Sequence, residues 1–534
     1  MSETPPLGTA AAMPRPSWVR VAPLLDAPRV TALLLLALAV LYVVAYGLDP
    51  SVPGHDRVHP TGWWGWFDQG RYLASARAFA SGDLSTSAHW YPMGYPLLGA
   101  LFVGLMPDHP FFVIDLVCFL AAAALFAAIA ARFAVPRNAG LLLFALATLS
   151  DGRVFREWII PWNTSPVVVW VYAALFVAVR RPPPGRLAVA VAALCAAVTP
   201  LTRPADAAMM LPLVVAIAGR CLVEEPLPEA LRRLALGLLV GAVPLALYGA
   251  LHVRIYGWAP TEYMGVSRHW GFELELFWQR LYGLVIDPLP LWGEGDGMAR
   301  SAPWLLLAVP GGVLGLRRWG LPFAAVAVVV VANVTLYTAY RDMAPTNLWR
   351  FNLVHYYKVS YPLAALIAWI ALERATRSRA NAAFLAVSVA LVLSIRLETT
   401  VTPASAVRLD GRRLVVDCVE CGAYRALRLA PVVAPADRVH FGWFRLATEA
   451  GPLTDLFDYR LTLVGDRLTV VFPRLVRHRR LEVEPTRMDD PVEPTRKDDP
   501  VEPTRSNAPP VAESLRAEAV DVAFALALPR LPGR

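Results

Sequence analysis

Lysine is almost missing from this chain: of 534 residues only Lys358 and Lys497 carry it, and the cationic charge is otherwise arginine. Charge of any kind is scarce. Asp, Glu, Lys and Arg together make up 17% of the residues, against about 25% in soluble domains, which excludes a freely soluble enzyme. The net charge of +8 does not indicate nucleic acid, because the arginines are scattered between apolar runs and form no basic stripe interleaved with aromatics. Cysteine is sparse as well. Cys118, Cys195 and Cys221 lie in or beside apolar runs and read as small packing residues. Cys418-Val-Glu-Cys421 is a single C-x-x-C with no second pair to complete a zinc site, and in an external, oxidising compartment it could close as a short-loop disulfide. No cleavable leader is evident, since the first apolar run, Val30 to Tyr46, is longer than a signal-peptide core and no convincing small-residue cleavage site follows it.

What fills the chain instead is apolar: 56% of the residues are hydrophobic. A membrane-spanning helix needs about 20 such residues in a row. Runs near that length fall at 30–48, 110–132, 138–150, 164–180, 186–201, 205–219, 234–251, 303–316, 319–340, 359–373 and 380–397. The expectation is an α-helical integral membrane protein with about eleven spans. Charge tests the order of these spans independently. With the N-terminus inside, every inner connection carries arginine: Arg132 and Arg137, then Arg180, Arg181 and Arg186, then Arg220, Arg232 and Arg233, then Arg317 and Arg318, then Arg374, Arg377 and Arg379. The remaining connections, and everything after residue 398, fall outside.

The first outer connection holds the most distinctive stretch. Phe67-Asp68-Gln69-Gly70-Arg71-Tyr72 opens a short helix, Ser81-Gly82-Asp83 closes it, and Tyr91-Pro92-Met93-Gly94-Tyr95-Pro96 turns the chain back towards lipid. An acid at a helix start is commonplace, favoured by the helix dipole. The order of features is less so. An acid-headed helix, a Ser-Gly turn and a Tyr-Pro-x-Gly-Tyr-Pro hinge directly after a first span resemble the first external loop of the GT-C glycosyltransferases, the group that includes protein O-mannosyltransferases and aminoarabinose transferases. Those enzymes take sugars from polyprenyl-phosphate donors, and the acid of this loop is their proposed general base. The resemblance implies that role for Asp68.

Other loops follow the same comparison. The second outer loop, Asp151 to Pro166, contains Asp151 and Glu157, either of which could be the further acid with which the family supports donor phosphate through a metal or orients the acceptor; ion pairing with Arg153 and Arg156 is the plain alternative. Thr202-Arg203-Pro204 resembles the Thr-Arg-Pro element that sits near the lipid phosphate in bacterial members. Arginine suits a phosphate because its planar fork donates two parallel hydrogen bonds, although an interfacial arginine can also simply snorkel to water. The last membrane-side loop departs from the family's Arg-Tyr pattern, reading His355-Tyr356, so Arg350, His355 and Lys358 all stand as candidates for the donor phosphate. The resemblance leaves a divalent metal ion open and names no other cofactor.

After residue 398 the pattern changes to alternation, as in Arg413 to Asp417 and Leu461 to Phe472, with turn chemistry at Asp410-Gly411 and Gly465-Asp466. A small external β-rich domain is expected over 398–480, behind a cytoplasmic segment 1–29 and a transmembrane domain 30–397. A disordered tail is expected over 481–534. That tail holds a nine-residue repeat, Val483-Glu-Pro-Thr-Arg-Met-Asp-Asp-Pro491 and its successors, and a last apolar piece, Ala517 to Leu528, too short to span and suited to resting on a surface. The expected activity is transfer of a sugar from a polyprenyl-phosphate donor to a lipid, glycan or protein acceptor at the outer face of a bacterial-type plasma membrane, with no nucleic-acid partner. A polytopic transporter or flippase, or a GT-C scaffold without activity, is the alternative.

Overall fold

The computed structural model describes residues 27–54, 67–292, 295–343, 350–410, 413–432, 444–454, 458–464, 467–485 and 511–526. Its first part is helical. In chain order the helices that matter here are α1 (Pro28–Leu48), α2 (Phe67–Ser81), α3 (Gly94–Ala100), α4 (Phe112–Arg132), α5 (Arg137–Leu149), α6 (Gly152–Ile159), α7 (Thr164–Val179), α8 (Arg186–Thr202), α9 (Ala207–Glu224), α10 (Leu227–Tyr256), α11 (Glu262–Trp270), α12 (Phe277–Val285), α13 (Ala308–Trp319), α14 (Leu321–Ala339), α15 (Ser360–Arg377) and α16 (Arg379–Ser394). Each of the eleven apolar runs coincides with a helix. Five of the described helices are long and apolar enough to cross a membrane, or six if the bent pair α6–α7 is one span, and α5, α8 and α16 are shorter apolar helices. Helix length and composition therefore support several spans without fixing eleven.

Side-chain pattern explains how these helices associate. In lipid there is little hydrophobic drive between helices, so close approach through small residues takes over. Gly237 and Gly241 of α10 lie against α8, where an added Cβ would come within 3.0 Å of the Val189 side chain and 3.3 Å of the Ala193 carbonyl. The arginine-bearing connections meet at one end of the bundle. Arg132 Nε donates to the Val179 carbonyl at 2.7 Å, and Arg220 Nη1 to the Arg180 carbonyl at 2.9 Å. Arg186 pairs with Glu229 at 3.3 Å, Arg318 with Glu373 at 3.6 Å, and Phe133 packs edge-on against Trp319.

Beyond α16 the described strands are β1 (Ile395–Pro403), β2 (Ala406–Asp410), β3 (Arg413–Asp417), β4 (Tyr424–Val432), β5 (Phe444–Thr448), β6 (Gly451–Leu453), β7 (Arg460–Val464), β8 (Arg467–Val476), β9 (Arg480–Pro485) and β10 (Val511–Leu526). They form two five-stranded antiparallel sheets, ordered β1-β10-β4-β8-β7 and β2-β3-β9-β5-β6. Alternation splits their side chains between two cores. Leu427, Val470 and Ala519 point between the sheets, while Ala426, Val471 and Val520 pack with Leu353, Tyr357 and Met343 of the helical part. Cys418 and Cys421 are joined as a disulfide with Cα atoms 5.1 Å apart.

Two expectations for the C-terminal region are corrected. Ala517 to Leu528 is not a separate piece resting on a surface: Ala517–Leu526 belongs to β10, hydrogen-bonded between β1 and β4. The boundary drawn at 481 falls inside β9. Both misreadings have one cause, that these strands find their partners far away in sequence. Most of the repeat lies outside the described residues.

Candidate functional site

The loop that organises the site is Ile160–Asn163. Pro161 stops α6, and the chain turns 95° before α7 begins. Its residues reach three parts of the fold. Gln69 of α2 donates to the Pro161 carbonyl at 3.0 Å. The Trp162 ring stacks on His355, with centroids 3.7 Å apart and planes 14° from parallel. Asn163 accepts from Arg203 Nη1 at 2.9 Å. A four-residue bend thus ties the first outer helix, the Thr-Arg-Pro turn and the His355 segment together.

Asp68 sits half-buried in the first turn of α2. The Tyr91 hydroxyl donates to its Oδ1 at 2.5 Å. The Tyr91 ring lies 4.7 Å from that of Tyr72 and 4.8 Å from that of Tyr263 on α11, so phenols from three segments surround the carboxylate. Tyr72 and Tyr263 each feel the charges of both Asp68 and Arg203.

Arg203 is buried at the end of α8 and its donors are heavily committed. Nε pairs with Asp206 at 2.9 Å, Nη2 donates to the Tyr337 hydroxyl at 2.8 Å, and Tyr337 donates in turn to Asp206. The guanidinium also lies 5.0 Å from the Tyr356 ring centre. Asp206 balances the arginine's charge, so this is a satisfied ion pair with an aromatic wall.

Lys358, buried at the head of α15, donates to Ser165 at 3.0 Å and lies 5.2 Å over the Trp158 ring. Burial pulls its ammonium down to about 8, and the nearby carboxylates Glu157 and Asp115 work against that pull. Glu157 is 1% exposed, lines a small pocket with Trp158, Tyr357 and Lys358, and its Oε2 has no hydrogen-bond partner among the described residues. His355 is buried in its stack. Arg350 opens a 3-10 turn running to Tyr357, and its side chain lies outside the described ones.

Asp151 stands apart. It caps α6 by accepting from the Arg153 amide at 2.9 Å, and the Arg153 side chain returns to it at 2.7 Å. Burial would raise its carboxyl, but these bonds outweigh burial and hold it below the usual range. The alternative of an ion pair between Glu157 and Arg153 or Arg156 is not formed among the described residues. Arg156 pairs with Asp49 at 2.8 Å, at the end of α1.

Sequence reading passed over Asp115, Asp206, Asn163, Tyr91 and Tyr337. Asp115 had a signal, an acid inside an apolar span; it accepts from the Tyr95 hydroxyl at 2.7 Å and is 1% exposed. Among the described residues, no three His, Cys, Asp or Glu side chains gather as a metal site. Asp68 is ringed by phenols, which is a poor donor set for a divalent ion, and no step below passes through one.

No protein-family model matches the chain, and no curated protein does. A solved structure with a loosely similar fold is that of ArnT from Cupriavidus metallidurans bound to undecaprenyl phosphate, at 14% identity and a TM-score of 0.44. The match takes in 67% of this chain and 63% of that one, less than two thirds of its length.

Proposed function

We propose that the chain is an integral-membrane glycosyltransferase that moves a sugar from a polyprenyl-phosphate donor to an acceptor on the outer face of the membrane, with inversion and with Asp68 as general base. The observation that supports this reading is that Tyr72 and Tyr263 each lie within reach of the charges of both Asp68 and Arg203, residues of two motifs far apart in sequence that both resemble GT-C elements. The Asp68 carboxylate takes the proton of an acceptor hydroxyl as that oxygen attacks the anomeric carbon. The bond from that carbon to the lipid phosphate oxygen breaks, and its electron pair leaves with the phosphate. Attack opposite the leaving group inverts the centre. Arg203, Lys358 and His355 are the groups for the departing charge. A phosphate oxygen reaching Arg203 takes the place of Asn163 or Tyr337 on the guanidinium, since those neutral partners exchange more readily than Asp206.

Wild type and Asp68→Asn in nanodiscs, given radiolabelled polyprenyl-phosphate sugars and a membrane extract as acceptor source, test the reading. Consumption of one donor by wild type alone supports it, and equal turnover by both removes Asp68 from the chemistry. A transporter reading draws on the buried Asp115 of α4, since ionisable groups inside apolar spans often mark transport pathways. Substrate movement into proteoliposomes without donor consumption would favour it.

A further inference from the structure

A second cluster of cations lies away from Asp68, where the outer loops of the helical part meet the first β-sheet. Arg425 is 4% exposed. The pairing of β4 with β8 shifts register between Tyr424 and Ala426, with Arg425 at the irregularity, and such bulges re-aim side chains. Its neighbour Ala426 packs against the helical part, and Arg425 feels Glu275 from the loop ahead of α12. Its Nε and Nη1 have no hydrogen-bond partner, and Nη2 comes no closer than 3.8 Å to Asp521, too long for a hydrogen bond.

Arg280 of α12 is 1% exposed. It donates to the Ala339 carbonyl at 3.4 Å and to the Glu273 carbonyl, but its Nε is unmatched. Arg341, after α14, also has an unmatched Nε, and its Nη2 is 3.8 Å from Glu273. Arg280 feels the like charges of both Arg425 and Arg341, which places the three in one electrostatic neighbourhood.

We propose that Arg280, Arg341 and Arg425 form a binding site for a phosphate group at this junction. Buried polar groups are nearly always matched, and an unmatched donor on a charged group is costlier than most. Among the described residues, four N–H-bearing nitrogens from three segments are unmatched here, and the carboxylates of Glu273 and Asp521 stand 3.8 Å from Arg341 and Arg425. Burial first, and for Arg280 the neighbouring arginines as well, brings Arg280 and Arg425 down to about 10. That is the behaviour of cations taken out of water. A phosphate monoester has enough oxygens to meet three guanidinium forks, whereas a carboxylate has two. The site is separate from the proposed chemistry and does not depend on it, although Arg280 also acts on Tyr357, which lines the Glu157 pocket.

The phosphate has two sources, a soluble phosphate and a lipid headgroup. Binding of radiolabelled inorganic phosphate to the detergent-purified full chain reads the first. Retention of phosphatidic acid over phosphatidylcholine, counted by native mass spectrometry from mixed nanodiscs, reads the second. The expected result is binding of at least one probe by wild type and by the control Arg413→Gln, an exposed arginine of the outer sheet. Arg425→Gln should bind about tenfold or more weakly, the loss of one charge-assisted contact. Arg341→Gln, at a part-exposed residue, serves the same purpose if Arg425→Gln does not fold. Phosphate binding assigns the soluble source, and phosphatidic acid retention without it assigns the headgroup. The proposal is overturned if wild type binds neither probe, or if the folded variant binds as wild type does.

Discussion

Two short outer helices begin with an aspartate, and the fold treats the two acids differently. At the start of α6, Asp151 is held by Arg153, and further along the same helix Arg156 is held by Asp49. Charge is matched to charge, and the Arg156–Asp49 pair ties the helix to the end of α1. At the start of α2, Asp68 meets the Tyr91 phenol inside a ring of tyrosines, with the arginine that shares its surroundings committed to a different acid, Asp206. A neutral hydroxyl can orient a carboxylate without neutralising it. The two sequences are locally alike, yet one acid is held by an arginine two residues on, while the other accepts from a phenol in the setting where it is proposed to act as a base.

The sharpest way to break this contrast is to remove each charge in turn. Asp68→Asn should lower transfer by about 10²–10⁴-fold, the usual worth of a general base, and Asp151→Asn should leave the rate near wild type; donor-consumption assays measure both. Next in size, Arg203→Met leaves Asp206 buried without its cation, at a cost of about 3–5 kcal/mol. Arg153→Met, at a partly exposed pair, should cost less than about 1 kcal/mol, and thermal unfolding in detergent separates the two. Tyr91→Phe should slow transfer about tenfold, the worth of one hydrogen bond of about 1.4 kcal/mol to a charged group, with little change in unfolding temperature. An unchanged rate would mean the phenol does not position Asp68. Close in size to Arg153→Met is Asp151→Ala, about 1 kcal/mol for a lost cap. Because the folded Asp151 carboxyl is held below its usual range, its contribution is present above the unfolded value of about 3.9 and is lost as pH falls through the lower folded value. Acid-unfolding curves of wild type and Asp151→Ala should therefore converge at the low end.

The parts legible in the sequence were those that depend on local pattern. Apolar length located the helices, and alternation located the strand Arg413–Asp417. The helix headed by Asp68 and the Arg203 turn were legible as motifs. What stayed hidden was set by distant contacts. Asn163 and Tyr337 converge on Arg203 from far along the chain, and no spacing rule links them to it, whereas Asp206 follows three residues on. β10 has eleven apolar residues among its sixteen that look complete alone, yet its character as a strand depends on β1 and β4. Arg425 reads as one more arginine in a strand until the register shift beside it is seen.

The placing of β10 inside its sheet also changes what the nine-residue repeat can be. It joins β9 to β10, so both of its ends are anchored in the same domain. Lengthening a tethered connection is cheap, since even a doubling costs only about 0.6 kcal/mol of closure entropy. Slippage during replication can therefore add or drop copies and leave a protein that still folds. A stop codon within the repeat is a different event, because it deletes an interior strand and opens the sheet between β1 and β4. Natural variants of this gene should differ freely in repeat number and hardly ever end there.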